Sequence, residues 1–250
     1  RRWLFKPDKQ GGGAVAAAEE AAAEIARRVG LPSVEVRRVE LDGRVGSVQP
    51  MLAGASPLPG HPTEWTPDQR QGVMMHHVVD WLIGDHDGNA GNFILADGAP
   101  VRIDRGQAFK FLGRDKLDLH YEPNKKHGAP PHAALLLYRA AAQGQVQVDP
   151  HTLLPVIKAA QAIPDEEYRA ILRPVAEAGV KTKKAAWYQA MYERATAKKG
   201  GAPAPEDVVE AFLDAAVERK RNLRKDFEAF FSSVFSEPFQ FVEDEKTTAA

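Results

Sequence analysis

At 250 residues the chain is long enough to bury a substantial core as one two-lobed unit or two small domains, and 44% hydrophobic with 27% charged residues is the composition of a folded globular protein. A formal net charge of −1 gives no global pull toward a polyanion, so nucleic acid is not an expected partner. Cysteine is absent, which excludes disulfides and Cys-ligated metals and points to a reducing, cytoplasmic setting; no apolar run approaches the ~18 residues of a membrane span, so no stable membrane insertion is expected. Abundant Ala and Arg fit a GC-rich, bacterial genome.

Trp3-Leu-Phe-Lys6-Pro7 reads as a strand with one Lys in it, followed by an Ala-rich helix from about Ala14 to Val29 that carries Glu19, Glu20 and Glu24. Gly11-Gly12-Gly13 precede that helix, where free backbone N–H groups can bind phosphate. Strands are expected over Val34 to Leu41 and Arg44 to Met51 around an Asp42-Gly43 turn. Gly46-Ser-Val-Gln49-Pro-Met51-Leu52 then occupies the place of a hinge between lobes, and Ala53 to Pro67, rich in Pro and Gly, is the linker. Asp68 is the expected N-cap of a helix whose apolar run, Val73 to Ile83, is stopped by Gly84.

The loop that follows carries Asp85, His86, Asp87, Asn89 and Asn92. Phe93-Ile-Leu95 and Val101-Arg-Ile103 then read as a hairpin around an Asp97-Gly98 turn. A hairpin brings Asn92, at the mouth of its first strand, beside Asp104, at the exit of its second. An amide oxygen and a carboxylate are hard ligands suited to magnesium completed by substrate phosphates. Asp87 is left to orient and deprotonate an attacking hydroxyl. Asp and Asn separated by four residues in one loop, then a second Asp two residues before Gly106, is the division of labour in kinase-type phosphoryl transfer. A strand Lys paired with a helix Glu is the matching device that positions nucleotide phosphates.

Gly113 to Pro131, with His120, Lys125, Lys126 and His127, lies where a substrate-binding loop or a plain solvated loop is expected. Helices are expected at Pro131 to Ala142, Asp149 to Ala162, Asp165 to Ala178, Lys181 to Ala197 and Pro205 to Phe235, with Pro164 and Gly179 among the breaks. In the last one Val208, Val209, Phe212, Leu213, Ala216 and Val217 recur at helical spacing as core or as a seam for a helical partner. Lys220, Arg221, Arg224 and Lys225 form a basic face, either solvated or facing phosphate-bearing ligands. Trp187, Tyr188 and Tyr192 are expected to pack, and Phe239 to Ala250 to be a mobile tail.

Asp87-Gly-Asn-Ala-Gly-Asn92-Phe-Ile-Leu with Ile103-Asp104-Arg-Gly106-Gln-Ala-Phe resembles the catalytic and metal-binding segments of the phosphatidylinositol 3-/4-kinase-related group, nearest the plant-type and type II phosphatidylinositol 4-kinase-like proteins and the HipA-type bacterial Ser/Thr kinases. The resemblance covers roughly Trp3 to Phe111. It implies an α+β, bilobal, atypical kinase-like fold with a small mixed N-lobe and hinge over 1–60, a mainly helical C-lobe over 61–238 and a tail over 239–250. It implies ATP and Mg2+ as cofactors. Lys6 would contact the phosphates, held by Glu19 with Glu20 as the competing choice; Gln49, Met51 and Leu52 would face the adenine; Asp87 would be the base; Asn92 and Asp104 would hold magnesium. A protein Ser/Thr hydroxyl is expected as acceptor ahead of an inositol lipid or small hydroxyl compound.

The chain departs from the family where Gly88-Asn89 stands for the usual Arg-His and Arg105 for Phe. Asn89 can hydrogen-bond where an imidazole would, and Arg105 would bind product or an acidic substrate, or pair with Asp85 or Asp87. The Gly-rich hairpin that covers nucleotide phosphates in kinases is expected upstream of Arg1, unless Gly11 to Gly13 replace it. Two rival readings use the same residues: a kinase-like module that binds nucleotide without turnover, and a metal-dependent phosphohydrolase with His76, His77, His86, Asp87 and Asp104 as ligands. In the kinase readings His76 and His77 are one core and one exposed residue.

Overall fold

The structure is a computed structural model that describes residues 2–9 and 12–243. Its first sheet holds β1 (Trp3–Pro7), β2 (Arg37–Leu41) and β3 (Arg44–Pro50), all antiparallel, in the order β1-β3-β2. In that register Lys6 lies directly opposite Ser47. The two strands come close because residue 46 has no side chain: a Cβ there would sit 2.3 Å from the Lys6 carbonyl oxygen and 2.6 Å from the Phe5 ring. Helix α1 (Ala14–Arg28) covers the sheet. Its buried alanines allow a close approach, and Glu19 is the acidic residue carried inward on that face.

Helix α2 (Pro67–Leu82) begins six residues before its apolar run. Its N-cap is Thr66 rather than Asp68: Thr66 Oγ1 accepts from the Gln69 amide and the Gln69 side chain accepts from the Thr66 amide. The second sheet follows, β4 (Ser56–Pro57), β5 (Phe93–Ala96) and β6 (Ala99–Arg102), antiparallel in the order β4-β5-β6. Asp97 and Gly98 close the expected hairpin, both at positive φ (51° and 81°), the backbone that a two-residue turn between twisted strands demands.

The remaining helices are α3 (Ala133–Ala142), α4 (Leu154–Ala162), α5 (Asp165–Thr182), α6 (Tyr188–Lys199) and α7 (Pro205–Phe235). Pro164 does end one helix and cap the next, but Gly179 does not break α5. It is buried inside that helix because the Trp187 indole lies on it, where a Cβ would be only 2.2 Å from the ring. Helix α5 packs against both α1 and α7, tying the helix over the first sheet to the helical part of the chain. The chain is thus a mixed α+β fold with two small antiparallel sheets.

The apolar stripe of α7 is spent within the chain: Val208, Val209, Phe212, Leu213, Ala216 and Val217 are all buried, leaving none of these six for a helical partner. The expected tail is also partly docked. Phe241 is buried, and Phe239 packs edge-on against Phe231 and tilted on His151, because the segment after α7 folds back over its last turns. The rest of that expectation, 244–250, lies outside the described residues. Among the described residues no helix is long and apolar enough to cross a membrane.

Candidate active site

A cleft of about 540 Å³ lies where β1, β3, α1 and the two loops flanking the second hairpin meet; Lys6, Glu19, Ser47, Asp87, Asp104 and Gln107 line it. Lys6 Nζ donates to Glu19 Oε1 and, at 2.8 Å, to Asp104 Oδ1. Ser47 Oγ donates to the other oxygen of the Glu19 carboxylate. Burial pulls the Lys6 ammonium pKa down, but the adjacent Glu19 and Asp104 carboxylates outweigh it and leave it raised. Asp104 is the mirror case: burial raises its pKa, and the Lys6 hydrogen bond and charge hold it below the usual carboxylate range.

Glu20 does not compete for Lys6. Its Oε1 accepts from the Arg38 amide on β2 at 3.0 Å, while Glu24 is engaged by Arg27 and Arg28. Nor is the start of α1 a free phosphate cradle. Asp8 Oδ2 accepts from the Val15 and Ala16 amides at 3.0 and 3.3 Å, so first-turn donors are already taken. Gly11 lies outside the described residues.

The Asp87 loop is held by its own polar side chains. The Asp87 amide donates to Asp85 Oδ1 at 2.9 Å; Asn89 Nδ2 reaches Asp87 Oδ1 at 3.3 Å; Gln107 Nε2 donates to Asp87 Oδ2 at 3.2 Å. Asn92 Nδ2 donates to the Asp87 carbonyl, which leaves Asn92 Oδ1 as an acceptor. The Asn92 carbonyl in turn accepts from the Ile103 amide at 2.9 Å, so the hairpin places Asn92 beside Asp104 as its register requires. Asp104 has φ +55°, a left-handed backbone that a non-glycine residue adopts at a cost of about 1–3 kcal/mol. An amide oxygen and a depressed-pKa carboxylate on adjoining backbone fit a hard divalent cation.

Beneath the cleft lies a buried charge network that the sequence reading did not assemble. Arg102, fully buried, donates to Asp80 Oδ2 (3.4 Å) and Asp85 Oδ2 (3.2 Å), and its Nη1 meets the carbonyls of Asn92 (3.5 Å), Ile103 and Asp104 (3.2 Å). One guanidinium therefore ties the end of α2 and the Asp87 loop to the backbone of both candidate metal ligands. Arg105 donates to Asp80 Oδ1 at 2.6 Å and is close to His76 Nδ1 at 3.1 Å. It is buried with them, so it faces neither phosphates nor Asp85 nor Asp87, because Asp80 is the carboxylate that α2 delivers beneath it. Burial favours the neutral Asp80 acid, but Arg102, Arg105 and His132 hold it ionised, well below the usual range.

Two single-residue signals could have exposed this network: Asp80 in the apolar run Val78-Val-Asp80-Trp-Leu, and Arg102 inside a short strand. A lone charge in a core segment demands a buried partner of opposite sign.

Of the expected adenine-facing residues, Gln49 lines a small cavity that shares Glu19 and Asp104 with the Lys6 cleft, Met51 is exposed, and Leu52 is half-buried after β3 has ended. The histidines are dispersed: His76 bonds to the Pro100 carbonyl, His77 to the Tyr138 hydroxyl and His86 to Asp115. His76 and His77 are both buried, because α2 is enclosed by α3, α7 and β6. Among the described residues no group of three or more His, Cys, Asp or Glu is gathered in one place as a metal site would need, and these three histidines each have a different partner. The basic face of α7 is largely neutralised. Lys220 is buried on the Ile163 carbonyl and Asp165, Arg221 also pairs with Asp165, and Arg224 pairs with Glu228 and Glu243.

Comparison of the chain with protein-family models, with curated proteins and with solved structures finds no match, so the functional reading stands on these residues and their geometry.

Proposed function

We propose that the chain is an ATP- and Mg2+-dependent phosphotransferase with a bilobal, atypical kinase-like fold, acting on an alcohol acceptor, a protein Ser/Thr ahead of an inositol lipid. The observation that carries this reading is Lys6 Nζ bonded at once to Glu19 on α1 and to Asp104 at the exit of the second hairpin, with Asp87 on the same cleft. Residues separated by 98 positions meet there as kinase-type transfer requires. The order of parts supports it as well: Lys strand, Glu helix, hairpin, connecting segment, helix, Asp loop, hairpin, metal Asp.

Magnesium held by Asn92 and Asp104 would neutralise charge on the nucleotide phosphates. Lys6, kept cationic by Glu19, would bind phosphate oxygens; this requires its ammonium to exchange Asp104 for the nucleotide. Asp87, its carboxylate fixed by Asn89 and Gln107, would accept the acceptor hydroxyl's proton as the new O–P bond forms and the bond to ADP breaks. A nucleotide-binding module without turnover is the second reading, favoured by Gly88-Asn89 in the loop that resembles Asp-Arg-His.

The test titrates ATP with and without Mg2+ against the wild type and Asp104→Ala, following thermal stability and loss of γ-phosphate together. Stabilisation and turnover that both need Mg2+ and both vanish in the variant support transfer. Binding without turnover moves the assignment to the module, and neither effect rejects both.

A further inference from the structure

Asp87 is gripped from the segment after Asp104 by a group whose own orientation is fixed. Gln107 Nε2 donates to Asp87 Oδ2 at 3.2 Å. The oxygen of the same amide accepts from Lys110 Nζ at 3.0 Å and from Asn124 Nδ2 at 3.2 Å. Lys110 Nζ also donates to Asn124 Oδ1 at 3.2 Å and lies over the Phe111 ring, 5.0 Å from its centroid. Asn124 is buried. Two donors converge on Gln107 Oε1, so a flip of the amide would set an NH2 group against an ammonium and another NH2. The nitrogen end is thereby committed to Asp87.

We propose that Gln107 is a positioning residue for the base Asp87, itself oriented by Lys110 and Asn124; the inference rests on the kinase reading above. Asn89 holds one carboxylate oxygen and Gln107 the other, from opposite sides of the loop. The carboxylate plane is then set, and its remaining lone pairs are presented to the cleft that Asp87 and Gln107 both line. Gln107 and Gly106 also border an adjoining compartment of about 270 Å³ that Lys110 and Trp187 enclose. Gln107 therefore borders both spaces, with Lys110 on the side of the second. Fixing a base this way matters because a displacement of about 1 Å at a reacting group can cost on the order of 100-fold in rate.

Glutamate at 107 is the informative substitution. It keeps the shape and still accepts from Lys110 and Asn124, but its second oxygen has no proton to give and faces Asp87 as a like charge. The experiment measures kcat and the KM for ATP, by ADP released from Mg–ATP, in wild type, Gln107→Glu, Lys110→Met and Lys110→Arg. Thermal stability is followed in all four proteins, and the Gln107 side-chain amide resonances in the three that keep the glutamine. The expected result is a kcat lower by about tenfold or more in Gln107→Glu with KM within about twofold. A smaller loss of the same kind should appear in Lys110→Met, whose Gln107 amide protons lose their distinct resonances, and Lys110→Arg, which keeps a donor, should return toward wild type.

An unchanged kcat in Gln107→Glu, or variants that lose only thermal stability, would overturn the inference while leaving the kinase reading intact. A wild type that releases no ADP from Mg–ATP is a different result. It removes the base itself and with it both statements.

Discussion

The imidazole of His132 occupies the space that a side chain on Gly88 would need: a Cβ at residue 88 would lie 2.2 Å from His132 Nε2 and 2.7 Å from Asp80 Oδ2. His132 caps α3, accepting from the Ala134 amide, and reaches Asp80 through its other nitrogen at 3.1 Å; the Ala133 amide donates to the Gly88 carbonyl at 2.8 Å. The residue next to Asp87 is thus a docking point for a helix that starts more than forty positions later. Gly88→Ala should cost about 1–3 kcal/mol by overpacking and lower any turnover. Urea unfolding of Gly88→Ala, His132→Ala and the double variant checks the cause: the double should fall short of the sum by about 1 kcal/mol, and strict additivity would show that the two residues do not compete for space.

Arg102 is the clamp between the Asp87 loop and the backbone of Asn92 and Asp104. Arg102→Met leaves Asp80 and Asp85 buried without their shared cation, which should destabilise the fold by about 3–5 kcal/mol in urea unfolding. Arg102→Lys keeps the charge but not the planar fork that serves two carboxylates and three carbonyls. It should stay folded and lose most of the thermal stabilisation by Mg–ATP; an undiminished ligand shift would show that the loops hold their places without the fork.

Acid should weaken the fold through two buried histidines. His76 is pushed down to about 3 by burial and then by the Arg105 charge, and His77 is lowered well below the ordinary value by burial and its neighbour His132. Once unfolded, each binds a proton below about pH 6.5, whereas the folded form stays neutral. The unfolded state therefore binds more protons, and stability falls as pH drops from about 6.5 toward 3, by up to ~1.4 kcal/mol per pH unit for each histidine. Unfolding midpoints taken between pH 7 and 4.5 should decline. His77→Phe, placed among Tyr138, Phe227 and Phe230, should flatten that slope; an unaltered slope would put the proton uptake elsewhere.

Phe241 lies buried beyond the end of α7, its ring edge-on to Phe239 and its amide donating to Glu228. Phe241→Ala should cost about 3 kcal/mol in thermal or urea unfolding, as a core truncation does. A loss under about 0.5 kcal/mol would mean that the segment contributes little to the core.

Local signals made several features legible in the chain itself. The Asp97-Gly98 turn, the Pro205 to Phe235 helix and the Ala-rich helix over the first sheet all follow from period, turn chemistry and breakers, which act over neighbouring residues. The loop and hairpin register that sets Asn92 next to Asp104 is equally local. The Gly179 break failed because a glycine reads the same whether it ends a helix or makes room for a ring, and only the position of Trp187 distinguishes the two. Asp68 lost the cap to Thr66 for a smaller reason of the same kind: both can cap, and the partner at Gln69 selects one.

What the sequence determined by itself is therefore the inventory and its spacing: a strand Lys, a helix with two candidate Glu, an Asp-to-Asn loop, and an Asp before Gly106. The tertiary structure decided which of these meet. It chose Glu19 over Glu20 because one faces Lys6 and the other Arg38, and it turned Arg105 inward to Asp80. It also recruited Arg102, His132 and Gln107 to hold the Asp87 loop. Composition and periodicity specify faces and turns, whereas the pairing of buried charges far apart in the chain depends on how those faces pack, and desolvation then makes each pairing obligatory.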